Sequence, residues 1–168
     1  MNHYQIITDS GCDLPQSMIA GMNIRVQPLL VNFRGETLPD SVDAGVQEFY
    51  AGLRAGDVAT TSAINPEGWK TVIEPVLQEG KDALVVTFSS GLSTTYQSAV
   101  IAADELLETY PERKIRVVDS RAASLGQGLL MYYICAKRDE GLSLDELADW
   151  TEENRLKLCH WFTVDDLM

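Results

Sequence analysis

Short apolar runs alternate along the chain with longer segments in which apolar residues recur at helical spacing. Runs of strand length lie at residues 4–8, 25–33, 83–88, 115–118 and 158–164. Helical segments are predicted near residues 16–20, 42–53, 65–78, 95–109, 122–136 and 143–156. Strands that are apolar on both faces and separated by helices predict an α/β fold, with a mainly parallel β-sheet and helices on both faces.

Capping and turn residues refine these boundaries. Pro28 lies inside the second apolar run, which predicts an edge strand or a bulge there. Three helix starts are predicted from N-terminal patterns, namely Asn65-Pro66-Glu67, Thr94 with Gln97, and Ser143 with Glu146.

The composition of the chain is that of a globular protein. Its 168 residues are 45% apolar, which predicts one sizeable core. Thirteen Lys and Arg against 25 Asp and Glu give a net charge of −12, so the average field repels phosphate backbones and anionic membranes. Nucleic-acid binding and membrane insertion are therefore not expected. Neither a signal peptide nor a membrane-spanning run is apparent, which favours a cytoplasmic protein.

The sequence does not favour a metal or disulfide site. Cys12, Cys135 and Cys159 are widely spaced and are interpreted as packing residues. Asp9 and Asp13 share a turn and could hold a metal ion, but helix capping or solvation is the preferred interpretation. We therefore expect neither a metal nor a cofactor.

Polar loops follow the predicted strands at places where α/β proteins bind ligands. They comprise Thr8-Asp9-Ser10, residues 88–95 and Asp119-Ser120-Arg121; a fourth loop, residues 60–65, precedes a helix without a clear strand before it. Hydroxyls close to helix N-terminal amides favour a carboxylate or phosphate oxygen, although simple helix capping is an alternative. A serine-hydrolase triad is disfavoured, because position 95 is Thr where G-x-S-x-G needs glycine and the chain has two histidines, His3 and His160.

Taken together, the ordered motifs resemble the DegV family. They are Thr8-Asp9-Ser10, Asp13-Leu14-Pro15, Thr61-Ser62, Ser89-Ser90-Gly91-Leu92-Ser93, Thr95-Tyr96-Gln97-Ser98-Ala99, Asp119-Ser120-Arg121, Ser124, Gly126, Gly128 and Phe162-Thr163-Val164-Asp165-Asp166-Leu167. The resemblance implies a bacterial, cytoplasmic lipid-binding protein that holds a long-chain fatty acid between two α/β domains. It also implies a carrier role, in which the fatty acid is presented to a partner such as a fatty-acid kinase.

The resemblance also implies site residues. Thr61 and Ser93 match the hydroxyl residues that hold the fatty-acid carboxylate, while Ser62, Ser90 and Thr94 shape the same loops. The chain departs from the family pattern at Ala63, Ile64 and Thr94, where the family usually has Gln, Pro and Gly. Residues 1–157 are expected to form the N-terminal domain of a DegV-like protein, and residues 158–168 the start of an otherwise absent second domain.

Three hypotheses follow from these observations. The preferred one is a fatty-acid carrier without catalytic activity. The alternative is a transferase or hydrolase that acts on a small anionic substrate at the same loops. A third is an interaction module whose exposed apolar face pairs with another chain, for example as a homo-oligomer. Gly126 is expected to lie close to a ligand or to the sheet, because glycine weakens an isolated helix.

Overall fold

The computed structural model describes residues 3–40, 45–161 and 163. The strands are β1 (Tyr4–Asp9), β2 (Arg25–Gln27), β3 (Leu30–Phe33), β4 (Glu36–Pro39), β5 (Ala59–Ser62), β6 (Asp82–Thr87) and β7 (Ile115–Asp119). The helices are α1 (Gln16–Met22), α2 (Val46–Arg54), α3 (Pro66–Gln78), α4 (Thr95–Thr109), α5 (Leu125–Asp139) and α6 (Leu144–Asn154). Short 3-10 turns cover Ser10–Cys12 and Arg155–Lys157.

The main sheet has four parallel strands in the order β2-β1-β6-β7. Its two central strands, β1 and β6, are buried along most of their length. Helices α5 and α6 pack on one face through residues such as Met131 and Leu147, and α3 and α4 pack on the other through Trp69 and Ala102. The predicted α/β class, with a parallel sheet and helices on both faces, is therefore confirmed.

A second, antiparallel sheet has the order β4-β3-β5 and was not predicted. The prediction of one strand over residues 25–33 was wrong, because the run divides into β2 and β3, which belong to different sheets. Pro28 lies between them, where a residue without a backbone N–H cannot continue the ladder. The loop at residues 60–65 was also misassigned, since it begins inside β5.

Helix starts were predicted with mixed success. Asn65 Oδ1 accepts the Gly68 N–H at 2.8 Å, and Ser143 and Glu146 form the expected capping box. The capping box predicted at Thr94 was wrong, because its side chain makes no capping hydrogen bond. Residues 42–44 of the predicted second helix lie outside the described residues, and α2 itself begins at Val46.

The prediction of a final strand over residues 158–164 was wrong for the residues of this segment that the structure describes. Residues 158–161 and 163 are not in a strand, and residues 162 and 164 lie outside the described part of the chain. No helix among the described residues has the length and apolar character needed to cross a membrane.

Candidate functional site

The loops that follow β1, β6 and β7 meet at one edge of the main sheet. Because β6 pairs in parallel with both neighbours, the three strands present their carboxyl ends side by side. Thr8 is in register with Val86, and Thr87 is in register with Asp119. The polar loops singled out at these three strand ends are therefore neighbours in space.

Asp9 is fully buried at the end of β1. Its Oδ2 accepts the Phe88 N–H at 2.6 Å, while Oδ1 accepts the Gly11 N–H at 3.1 Å and Gln127 Nε2 at 3.2 Å. Burial raises the pKa of Asp9 to about 6, despite the opposing effect of these three hydrogen bonds; the charge of Asp40 adds a smaller increase. Asp9 thus joins the β1 loop, the β6 loop and α5.

Asp119 occupies the corresponding position at the end of β7 and is also buried. Its Oδ1 accepts the N–H groups of Ser90 and Arg121, both at 3.0 Å, and its Oδ2 accepts the Ser90 hydroxyl at 2.5 Å. Arg121 Nε lies 2.8 Å from the same Oδ2. Burial raises the pKa of Asp119, but the hydrogen bonds from Ser90 and Arg121 outweigh this effect, so the pKa lies below its usual value.

Ser93 lies at the end of the β6 loop, two residues before the first residue of α4. Its Oγ is 2.8 Å from the hydroxyl of the buried Thr95 and accepts the Thr95 N–H at 3.2 Å. Its own N–H donates to the carbonyl of Ser89 at 3.1 Å. Thr94 is exposed and its side chain does not cap the helix. The first turn of α4 therefore begins next to two hydroxyl side chains.

Thr61 and Ser62 lie on β5 of the antiparallel sheet. Thr61 is exposed and in register with Val31, whereas Ser62 Oγ accepts Asn32 Nδ2 at 3.1 Å. Within the described residues, no hydrogen bond joins Thr61 to Ser93. The two loops are connected further along the chain, where Trp69 Nε1 on α3 donates to the carbonyl of Thr95 at 3.1 Å.

Gln127 was not among the predicted site residues. It is fully buried on α5, and its Nε2 donates to Thr8 Oγ1 at 3.0 Å as well as to Asp9. Its Oε1 has no hydrogen-bond partner among the described residues. The signal in the sequence was its polarity within the apolar segment of residues 122–136, which indicates a buried amide with specific partners.

A cavity of about 310 Å³ opens beside the β1 loop, between that loop and β2. It is lined mainly by apolar side chains, together with Ser10, Gln16 and Asp40. Ser10 Oγ donates to Asp40 Oδ2 at 2.7 Å and accepts the Leu29 N–H at 2.9 Å, so both of its polar contacts are within the protein. The cavity therefore has an apolar wall and a polar rim.

The cysteines and acidic residues offer little chemistry. Burial raises the pKa of both Cys12 and Cys135 to about 11, so these thiols are protonated at neutral pH. Asp13 Oδ2 accepts the Ser124 hydroxyl at 2.6 Å, which assigns that carboxylate to a contact with the loop before α5. Among the described residues, no cluster of three His, Cys, Asp or Glu side chains is placed to hold a metal ion.

Comparison with known proteins identifies the family. The sequence model of the DegV family matches residues 3–168. The chain belongs to the DegV family. A DegV domain-containing protein of Clostridium perfringens is 43% identical over 169 residues, which cover 99% of this chain and 58% of the relative.

Solved DegV structures share the fold. A fatty-acid-binding DegV family protein from Thermus thermophilus is 35% identical, with a TM-score of 0.80 over 93% of this chain and 54% of its own. A stearic-acid-binding protein from Eubacterium ventriosum is 28% identical, with a TM-score of 0.81 over 89% of this chain and 52% of its own. The chain thus spans little more than half the length of these DegV relatives.

Proposed function

We propose that this DegV chain binds a long-chain fatty acid without transforming it, and that Thr61 and Ser93 hold the carboxylate. The ligand class is supported by the two solved relatives, which are described as binding a fatty acid and stearic acid. Both share the fold of this chain at TM-scores of 0.80 and 0.81. Each relative is nearly twice as long as the aligned region.

The observation that carries the head-group proposal is the position of Ser93 at the start of α4. A helix N-terminus presents unpaired backbone N–H groups and a partial positive charge, both of which favour a carboxylate. The Thr94 side chain makes no capping hydrogen bond, while the Ser93 hydroxyl accepts the Thr95 N–H and lies beside this end of α4. A carboxylate bound there would accept hydrogen bonds from neutral donors, which suits a chain with a net charge of −12.

The neighbouring residues have different roles in this proposal. The Ser90 hydroxyl donates its hydrogen bond to Asp119, so Ser90 shapes the loop instead of binding the ligand directly. Ser62 accepts a hydrogen bond from Asn32 and keeps its own hydroxyl hydrogen for another acceptor. Thr61 is exposed on the adjacent β5 position and is the second proposed donor. The Thr94 side chain makes no capping hydrogen bond, so it does not compete with a ligand for the helix N–H groups.

The cellular role is a further part of the proposal. A bound fatty acid whose carboxylate lies at an edge of the sheet is accessible to a second protein, which supports a carrier that presents it to a partner such as a fatty-acid kinase. A bacterial cytoplasmic setting suits this role, and the matched relative from Clostridium perfringens is bacterial.

Palmitate titration of the purified chain and of variants tests the head-group assignment. We expect Ser93→Ala and Thr61→Val each to weaken binding about tenfold, because a hydrogen bond to a charged group contributes roughly 1.5 to 3 kcal/mol. Ser98→Ala, one turn further along α4, and Thr60→Val, on the opposite side of β5, are matched controls that keep wild-type affinity.

Two results would overturn the proposal. Equal affinities for the wild-type chain and both site variants would remove Thr61 and Ser93 from the head-group site. Failure of the wild-type chain to bind palmitate, together with no acyl chain detected by mass spectrometry after solvent extraction, would reject fatty-acid binding by this part of the protein.

A further inference from the structure

The loop that leads to Ser93 is held from both sides by buried carboxylates. β6 lies between β1 and β7 in the main sheet, and each flanking strand ends in an aspartate. Asp9 Oδ2 accepts the Phe88 N–H at 2.6 Å, and Asp119 Oδ1 accepts the Ser90 N–H at 3.0 Å. Two backbone N–H groups at the start of the β6 loop are therefore fixed by acceptors on the neighbouring strands.

We propose that Asp9 is a positioning residue for the fatty-acid head group, because its ionised carboxylate fixes the loop that presents Ser93. This inference rests on the proposed function, since the head group is the ligand of that function. Asp9 itself is fully buried and acts through Phe88, Gly11 and Gln127.

The chemistry of its partners makes Asp9 hard to replace. Phe88 and Gly11 contribute backbone N–H groups, which donate and cannot accept, and each is bound by a different oxygen of Asp9. An asparagine, or a protonated aspartic acid, keeps only one oxygen as an unimpaired acceptor. At least one of these two backbone N–H groups then loses its partner, which loosens the junction between the β1 turn and the β6 loop.

Asp119 provides an internal comparison. One of its partners is the Ser90 hydroxyl, which can accept as well as donate. In Asp119→Asn the amide oxygen can keep the N–H groups of Ser90 and Arg121, while the amide nitrogen donates to the reoriented Ser90 hydroxyl. The contact of Arg121 Nε with Oδ2 is lost, but the Arg121 side chain is 55% exposed and can be solvated instead. The β7 side of the loop therefore tolerates an amide, whereas the β1 side does not.

Within residues 3–40 and 45–161, few titratable groups face Asp9. The charge of the Asp40 carboxylate raises the pKa of Asp9, and the Cys12 thiol is neutral at neutral pH because burial raises its pKa to about 11. Across β2, Asp9 is in register with the uncharged Gln27. From β6 and α5 it meets the Phe88 amide and Gln127, neither of which titrates.

Palmitate affinities of the wild-type chain, Asp9→Asn and Asp119→Asn between pH 5 and pH 8 test the proposal. Ionisation of palmitate affects the Kd of the variant and of the wild-type chain equally, so its effect cancels in the ratio of the two values. At pH 8 we expect Asp9→Asn to raise Kd about tenfold and Asp119→Asn to raise it less than about threefold. Because asparagine resembles protonated aspartic acid, the ratio for Asp9→Asn should fall towards one at pH 5, and a general folding defect would not produce this convergence.

A ligand-independent measurement separates this proposal from the proposed function. The backbone amide resonance of Phe88 in the wild-type chain should titrate with a midpoint near pH 6, the raised pKa of Asp9. A wild-type chain that binds no palmitate would reject the proposed function, while the Phe88 titration would still test the link to Asp9. A Phe88 resonance that does not change between pH 5 and pH 7, or a Kd ratio for Asp9→Asn that is independent of pH, would overturn the positioning role.

Discussion

Gly128 on α5 lies against the backbone of Cys12, so close that a Cβ atom on Gly128 would be 2.6 Å from the Cys12 carbonyl oxygen. The same Cβ atom would be 3.0 Å from the side chain of Leu14. This contact lets α5 approach the β1 loop, and it places Gln127 beside Asp9. The glycine is therefore required by the same packing that builds the Asp9 network.

We expect Gly128→Ala to destabilise the fold by about 1 to 3 kcal/mol through overpacking against backbone that cannot move aside. Gly126→Ala is the matched control. A Cβ on Gly126 would be 2.8 Å from the exposed His160 side chain, which can change rotamer. Urea unfolding should show a clear loss of stability for Gly128→Ala and a much smaller loss for Gly126→Ala. Equal losses of stability would contradict the assignment of the close backbone contact to Gly128.

The expectation that Gly126 lies close to a ligand or to the sheet is wrong for the sheet and stays a prediction for a ligand. The atoms nearest to a Cβ on Gly126 belong to His160 of the C-terminal segment, whereas Gly128 makes the close backbone contact. Sequence indicated that a helix with two glycines needs a close neighbour, but it could not tell which glycine has it. That distinction depends on the rotation of α5 over the β1 loop, which is set by tertiary packing.

Two fully buried threonines near the site differ in hydrogen bonding. Thr87 Oγ1 has no partner among the described residues, whereas Thr95 Oγ1 is 2.8 Å from Ser93 Oγ. We expect Thr87→Val to stabilise the fold by about 1 kcal/mol, since it removes an unpaired buried hydroxyl. Thermal unfolding should show a Tm increase of about 2 to 4 °C.

Thr95→Val serves as the comparison for Thr87→Val. It deletes a hydroxyl that is paired and should lower stability by about 1 kcal/mol. A fall in Tm for both variants would show that the Thr87 hydroxyl has a stabilising partner, such as a buried water molecule.

The main sheet and its helices were predictable because their signals are local. Buried parallel strands appear as short apolar runs, and Asn65 and Ser143 mark helix starts through contacts within three residues. The antiparallel sheet was not predictable in this way. Ala59–Ser62 is short, polar and largely exposed, so β5 is defined by its pairing with β3 and not by its composition.

The candidate site was predictable to a similar extent. The polar loops could be assigned to strand ends, but the role of each residue within them depends on distances that the sequence does not contain. The Ser90 hydroxyl donates a hydrogen bond to Asp119, and Asp9 accepts one from the Phe88 N–H across a sequence separation of 79 residues. Thr94 matched a capping pattern because that pattern considers residue types and not the backbone angles of the loop.

The stability of capping variants tests the difference between Ser143, which caps its helix, and Thr94, whose side chain does not. Ser143 accepts the Glu146 N–H and donates to the Glu146 carboxylate, so Ser143→Ala should cost about 1 kcal/mol of stability. Thr94 makes no capping hydrogen bond, so Thr94→Ala should change stability by less than about 0.5 kcal/mol. Chemical unfolding of both variants checks this, and a large loss for Thr94→Ala would restore the capping interpretation.

The raised pKa of Asp9 predicts how stability depends on pH. Between about pH 4 and pH 6, Asp9 is protonated in the folded chain but ionised in the unfolded chain, so proton binding stabilises the fold. This contribution is complete below pH 4 and is lost as the pH rises through 6. A pKa shift of Asp9 from about 3.9 in the unfolded chain to about 6 in the folded chain corresponds to roughly 3 kcal/mol of folding free energy.

Asp9→Asn isolates this contribution, because the carboxyl groups with lowered pKa, such as Asp119 and Asp145, titrate in both proteins. Urea unfolding at pH 4, 5, 6 and 7 should show that the stability of the wild-type chain relative to Asp9→Asn decreases as pH rises. A constant or increasing difference would contradict a raised pKa for Asp9. The expected decrease means that at neutral pH the ionised carboxylate costs folding free energy while it holds Phe88, which is typical of residues that position a functional site.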